Sequence, residues 1–224
     1  MEVPHHPAGL SAEEIRGMVG DSPLMLEIGC HDGADTQKFL DAMPGIKLHC
    51  FEPDPRPAAR WIRQITDKRA HLYTVAVGAS TGLATLYLSG GDFPSDCNPE
   101  HDWDHSSSIR KPTGHLIRDK QVTFGREITV AETTLDEWWF RPFGDSVSCL
   151  ALPVNFIWAD VQGAEGDLIR GGKKVLTQTR YFYTEYYDTP QYEGQPDLSR
   201  ICALLPRQFE LIGLYAGNAL FRRQ

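Results

Sequence analysis

The 224 residues are 41% hydrophobic and 23% charged, enough apolar content for one α/β domain with a sizeable buried core. A formal charge of −8 excludes a generally basic surface, and with it broad binding to nucleic acid or to an anionic membrane. The cysteines (Cys30, Cys50, Cys97, Cys149 and Cys202) are odd in number and contain no Cys-x-x-Cys pair, which predicts reduced thiols in a cytoplasmic protein, not a disulfide framework or a thiolate zinc site.

In chain order, residues 1–9 read as a Pro/His-rich arm, expected to be mobile even at His5 and His6, with no basic-then-apolar secretory pattern. No apolar run is long enough to span a bilayer. Residues 1–20 are expected to form an arm and helix, and 21–224 a single domain. Residues 24–28 are an apolar run ended by glycines, the pattern of a buried strand. Residues 35–43 follow at helical spacing, with Asp35 as the expected N-cap and Pro44-Gly45 as the stop. A second strand is predicted over 47–51, then a helix over 54–67 capped by Asp54 with Pro55 at its first position. A third strand spans 72–77, and 84–88 alternates as an extra strand.

Residues 89–120 turn polar and crowded with Gly, Pro, Ser, His and Asp, as functional loops do. Then come a short strand at 127–130, a helix start at 134–139 and a strand at 156–159. A helix over 165–176 is interrupted by Gly171-Gly172. An aromatic strand follows at 181–186, then a helix at 198–205 and a closing hairpin from 209–215 and 219–221. Of the aromatics in this half, Trp138, Trp139, Tyr181, Phe182 and Tyr183 are expected in core or sheet face, with Tyr186 or Tyr187 free to line a pocket.

Strands alternating with helices predict an α/β fold with a doubly wound, mainly parallel sheet and a C-terminal antiparallel hairpin. Ligands of such folds sit beyond the carboxyl ends of the strands. Four places qualify: 27–33, 52–54, 160–165 and 185–188. The first, Glu27-Ile28-Gly29-Cys30-His31-Asp32-Gly33, has glycines for a tight turn and leads into a helix N-terminus suited to an anionic group. In the second, Phe51-Glu52-Pro53-Asp54, Glu52 stands about 20 residues beyond the turn, where an acid pairs with two ribose hydroxyls; Asp54 takes the helix cap. In the third, Asp160 ends an apolar strand, and Glu165 reads as a first-turn acid that suits the helix dipole.

The ordered set of motifs resembles the FkbM family of S-adenosylmethionine (SAM)-dependent methyltransferases. The resemblance runs over about residues 24–190. It rests on the Glu27–Gly33 turn, Phe51-Glu52-Pro53, Val75-Ala76-Val77-Gly78 with Gly82, Ser107-Ser108-Ile109, Thr134-Leu135-Asp136, Asp160-Val161-Gln162-Gly163-Ala164-Glu165, Gly171-Gly172 and Glu185. Gln162 stands where the family usually has Glu, and Ala159 where it usually has Lys. The resemblance implies a seven-stranded, Rossmann-like class I methyltransferase fold. It also implies methyl transfer from SAM to a hydroxyl of a sugar or small natural product. Cofactor contacts are expected from Glu27, Gly29, Cys30, His31, Gly33, Glu52, Pro53, Val77, Ser108 and Asp160.

For the acceptor proton, Asp160 and Glu185 are the first candidates, acting as a base or holding a divalent metal. His105 is a third, within the segment His101-Asp102-Trp103-Asp104-His105-Ser106-Ser107-Ser108, whose two histidines at helical spacing, with acids between, also suit a metal. Two other readings stay open: a SAM-binding domain without turnover, and a nicotinamide-dependent oxidoreductase. The latter fits poorly with Gly-x-x-x-Gly in place of Gly-x-Gly-x-x-Gly.

Overall fold

The computed structural model describes residues 3–91, 103–140 and 153–224. His101, Asp102, Cys97 and Cys149 lie outside that set. Helix α1 (Ala12–Val19) opens with a capping box in which Ser11 and Glu14 satisfy each other's backbone N–H. Strand β1 (Leu24–Ile28) is buried at all five positions, as befits a strand covered on both faces. Helix α2 (Ala34–Ala42) starts from a left-handed Gly33, so Asp35 sits in its first turn and is not the cap. Strand β2 (Lys47–Phe51) leads to α3 (Pro55–Gln64), where the Asp54 carboxylate accepts from the Arg56 N–H as predicted.

The stretch read as one third strand is two. Strand β3 (Ala70–Tyr73) pairs with β2, whereas β4 (Ala76–Gly78) turns away to pair with β6 (Thr123–Thr134). Strand β5 (Gly82–Gly90) lies antiparallel to β6 and completes a separate three-stranded sheet. The short helix α4 (His115–Arg118) precedes β6, and α5 (Leu135–Phe140) follows it. Next come β7 (Val154–Ala159), α6 (Glu165–Gly171), α7 (Lys173–Leu176), β8 (Thr179–Glu185), α8 (Leu198–Leu204), β9 (Phe209–Tyr215) and β10 (Asn218–Arg223).

The main sheet has seven strands in the order β3-β2-β1-β7-β8-β10-β9. All pairings are parallel except those of β10, which runs antiparallel to both β8 and β9. Chain order reverses direction at β1, so β1 and β7 flank the switch point where such sheets open a crevice. Apolar clusters cover both faces: one around Ile28, Ile157, Phe182 and Leu168, the other around Met25, Phe156, Phe39 and Tyr183. The break between α6 and α7 follows from close packing. A Cβ on Gly171 would stand 2.0 Å from the Gly78 carbonyl oxygen, so the helix can lie against β4 only with glycine there.

The described part of the N-terminal arm is held in place. β9 is an edge strand, and its unpaired groups bind the arm: His6 N–H donates to the Leu214 carbonyl (2.7 Å) and Leu214 N–H to the Pro4 carbonyl (2.9 Å). The His6 ring stacks on Tyr215. Among the described residues no helix is long and apolar enough to cross a membrane.

Candidate active site

A cleft opens beyond the carboxyl ends of β1, β2 and β7. Backbone geometry builds its floor. Gly29, at φ 89°, approaches β7 so closely that a Cβ would stand 1.8 Å from the Asp160 carbonyl oxygen. Only glycine permits that crossing. His31 and Gln162 are the non-glycine residues with positive φ among those described, both at 49°. Strained backbone of this kind persists where the surroundings over-determine it, and both positions stand at this cleft.

Eight of the sequence-predicted residues line the cleft: Gly29, His31, Glu52, Pro53, Val77, His105, Ser108 and Asp160. Glu27, Cys30 and Gly33 lie beneath it. Glu27 is fully buried and accepts from the Thr36 hydroxyl (2.6 Å) and the Cys50 thiol (3.4 Å); burial pushes its carboxyl up to about 8. Cys30 is a buried thiol, and Gly33 packs against Trp61 and Ile65 at the start of α2. These three shape the turn from inside.

Glu52 faces the cleft with both carboxylate oxygens oriented. His31 N–H donates to Oε2 (3.0 Å) and Asp54 N–H to Oε1 (2.8 Å). Burial raises its pKa to about 7, against the pull of those N–H groups. A buried carboxylate that keeps lone pairs on both oxygens is the acceptor pair a ribose diol needs. Ile28, Phe51, Val77, Leu86 and Ile109 supply an apolar slot beside it. The donor set thus fits a nucleoside with an anionic or zwitterionic tail directed toward the Gly29–Gly33 turn.

Asp160 lines the cleft at the end of β7, whereas Glu185, at the end of the paired strand β8, does not line it and reaches Asp160 through Gln162; Ala159 faces Thr184 in that pairing. The Gln162 amide joins them, donating from Nε2 to Asp160 Oδ1 (2.6 Å) and to Glu185 Oε2 (3.3 Å). Tyr187 donates to Glu185 Oε1 (2.7 Å). Burial raises both carboxyls. Glu185 reaches about 9 because the Asp160 charge adds to its burial, whereas the Gln162 hydrogen bond pulls Asp160 back. Glu165, buried at the base of α6, accepts from the Gly163 N–H (3.1 Å) and serves its own turn.

Residues 103–109 close over the cleft, and each serine holds a different wall. Ser106 N–H donates to the Ser89 hydroxyl on β5 (3.1 Å). Ser107 donates to Asp54 Oδ2 (2.8 Å), and Ser108 to the Gln162 carbonyl (2.6 Å). Asp104 accepts from Arg60 (2.8 Å) and lies 2.7 Å from His31 Nε2. Burial opposes the charges of both His31 and Asp104, but their mutual contact prevails. His31, helped by Asp32, rises to about 9; Asp104, helped by Arg60, falls to about 2. The His105 ring lies against His31 (3.9 Å between centroids) and Trp103, on the covering segment. His31, Asp104 and His105 bring donor atoms within 4.8 Å of one another, but Arg60 already supplies that group with a cation.

Sequence reasoning passed over Arg60 and Tyr192, and took Asp104 only as part of the histidine segment, without its tie to His31. Tyr192 is wholly buried, and its hydroxyl reaches the Ser106 carbonyl (2.8 Å) and Gln162 Oε1 (3.1 Å). It lies in an irregular stretch after β8, and no local pattern marks it.

The model of the "Methyltransferase FkbM domain" matches residues 27–211. A relative from Sinorhizobium fredii, the 2-O-methyltransferase NoeI, is 42% identical over 205 residues, which cover 89% of this chain and 79% of that protein. Among solved structures, an rRNA methylase from Streptococcus thermophilus superposes with a TM-score of 0.47 at 9% identity, covering 95% of this chain and 93% of that one. The plantazolicin methyltransferase BpumL, in complex with SAH, gives 0.46 at 10% identity, over 96% and 83% of the two chains. By its family match and by its relative, the chain belongs to the FkbM methyltransferase family.

Proposed function

We propose that the protein transfers the methyl group of SAM to a hydroxyl oxygen of a sugar or small natural product. The observation that carries this reading is the single cleft shared by Glu52 and Asp160 on either side of Gly29. One acid suits a ribose diol, and the other stands at the mouth where an acceptor would enter. Family membership supports methyl transfer, and the relative's name, a 2-O-methyltransferase, supports oxygen as the acceptor atom.

Glu52 would hold the ribose, the apolar slot the adenine, and the turn around His31 the amino-acid end. When bound, SAM supplies a methyl on a positively charged sulfur, which leaves with the bonding electron pair as the acceptor oxygen gains the methyl. The chain's own task is to orient the acceptor hydroxyl and take its proton. We assign that proton to the Asp160–Glu185 pair, in which burial keeps Glu185 protonated at neutral pH and leaves Asp160, on the cleft wall, as the group that receives it. His105, on the cleft wall in the covering segment, is the third candidate for that proton and would also exclude water from the cofactor. Cys30, Cys50 and Cys202 are free thiols, in keeping with a cytoplasmic setting.

The test is methyl-labelled SAM with a panel of hydroxylated sugars, comparing wild type with Asp160→Asn and Glu185→Gln. Turnover is expected to fall by roughly 10²–10⁴ in Asp160→Asn, the contribution of a positioned acid–base group. Equal rates in all three proteins would remove the acid pair from the mechanism.

A further inference from the structure

Two carboxyl groups that converge on one partly buried site repel each other unless a proton, a cation or hydrogen-bond donors stand between them. Asp160 and Glu185 converge in this way, at the ends of paired strands. Gln162 occupies the space between. Its amide nitrogen is 2.6 Å from one carboxylate and 3.3 Å from the other, one N–H for each.

The amide is held in that orientation. Both of its N–H groups face acids, and turning it over would aim its carbonyl oxygen at the two carboxyls. On the far side the single hydrogen of the buried Tyr192 hydroxyl is shared between the Ser106 carbonyl (2.8 Å) and Gln162 Oε1 (3.1 Å). The Gln162 backbone is fixed as well: its φ of 49° is sterically disfavoured, and its carbonyl accepts from Ser108. A cation approaching the two carboxylates would therefore meet amide hydrogens. Hard divalent ions require oxygens on every side.

We propose that Gln162 is a positioning residue of the methyl transfer, its amide bridging Asp160 and Glu185 in the place a divalent cation would take, so that the acid pair works without a metal. The proposal rests on the reading of that pair as the groups that handle the acceptor. A third carboxylate at 162 would convert an amide-bridged pair into an all-oxygen set, the kind that Mg²⁺ and Mn²⁺ take up.

The probe is Mn²⁺ alone, titrated into the full chain and followed by the loss of the free-ion electron paramagnetic resonance signal. Gln162→Glu is expected to bind one Mn²⁺ at least about tenfold more tightly than wild type, and Glu185→Gln added to it should abolish the gain. Tyr192→Phe, which frees the amide to present Oε1, is expected to fall between the two and keeps the test open should Gln162→Glu fail to fold. Two results would overturn the proposal: no gain of affinity in either variant, or tight binding by wild type that Asp160→Asn abolishes. The titration needs neither SAM nor an acceptor, so its failure sinks this proposal alone. Failure of the wild type to bind SAM would sink the reading beneath it.

Discussion

Glu27 shows how a residue can satisfy a cofactor motif and do something else. It opens the turn and looks like a ligand by position. Yet its carboxyl is closed off by Thr36 and Cys50, with Trp61 bonded in turn to the Thr36 hydroxyl (3.1 Å). Its folded pKa of about 8 lies above the ordinary 4.5, so the folded state prefers the neutral acid. The associated stability is fully present below about pH 4.5 and is lost as pH rises toward 8, because the unfolded chain releases the proton first. Glu27→Gln, neutral at every pH, is expected to raise the melting temperature at pH 8 by roughly 2–4 °C, equivalent to about 1 kcal/mol in a domain of this size. The advantage should shrink toward zero near pH 4. A difference between the two proteins that does not change with pH would show that Glu27 is ionised in the fold. In the same way, Asp35 was expected to cap α2 by its chemistry, but Gly33 takes that place because the turn requires a left-handed residue there.

Among the elements, the segment 103–109 has the largest functional consequence. Its tie to His31 is charge-dependent. The folded pKa of His31, about 9, exceeds the ordinary 6.5, so the tie is at full strength below pH 6.5 and weakens as pH rises through 9. Hydrogen exchange of the 103–109 amides, corrected for intrinsic rate, is expected to show protection at pH 7 that declines by pH 9.5. Asp104→Asn should lower the pH 7 protection by about tenfold and flatten the pH trend. Protection independent of both pH and Asp104 would show that the serines alone hold the segment. None of these ties was legible in the sequence, because each joins residues far apart in the chain. The elements themselves were more readable. Continuous apolar runs gave β1 and β7, and Gly171-Gly172 marked the break between α6 and α7. Strand β6 was read as 127–130 and spans Thr123–Thr134 because it belongs to the small sheet, where half-exposed Thr, Glu and Arg blur the apolar alternation.

For the whole molecule, the strand order explains why the readable motifs share one cleft. β1 lies between β2 and β7, so Gly29, Glu52 and Asp160 come from strand ends that are neighbours in space though 131 positions separate Gly29 from Asp160. The strand-end residues of the cleft could therefore be read from residue type and position. Tyr192 and the covering segment could not, because they reach Gln162 and the cleft through irregular chain. The central claim, that this cleft holds SAM with Glu52 on its ribose, is tested most directly by calorimetric titration of wild type and Glu52→Gln with SAM, its demethylated product and NAD. The account predicts binding of the first two by wild type, no binding of NAD, and a loss of roughly 10- to 100-fold for SAM in Glu52→Gln, the effect of removing a charged hydrogen-bond acceptor. Binding of NAD in preference to SAM, or SAM affinity unchanged in Glu52→Gln, would contradict it.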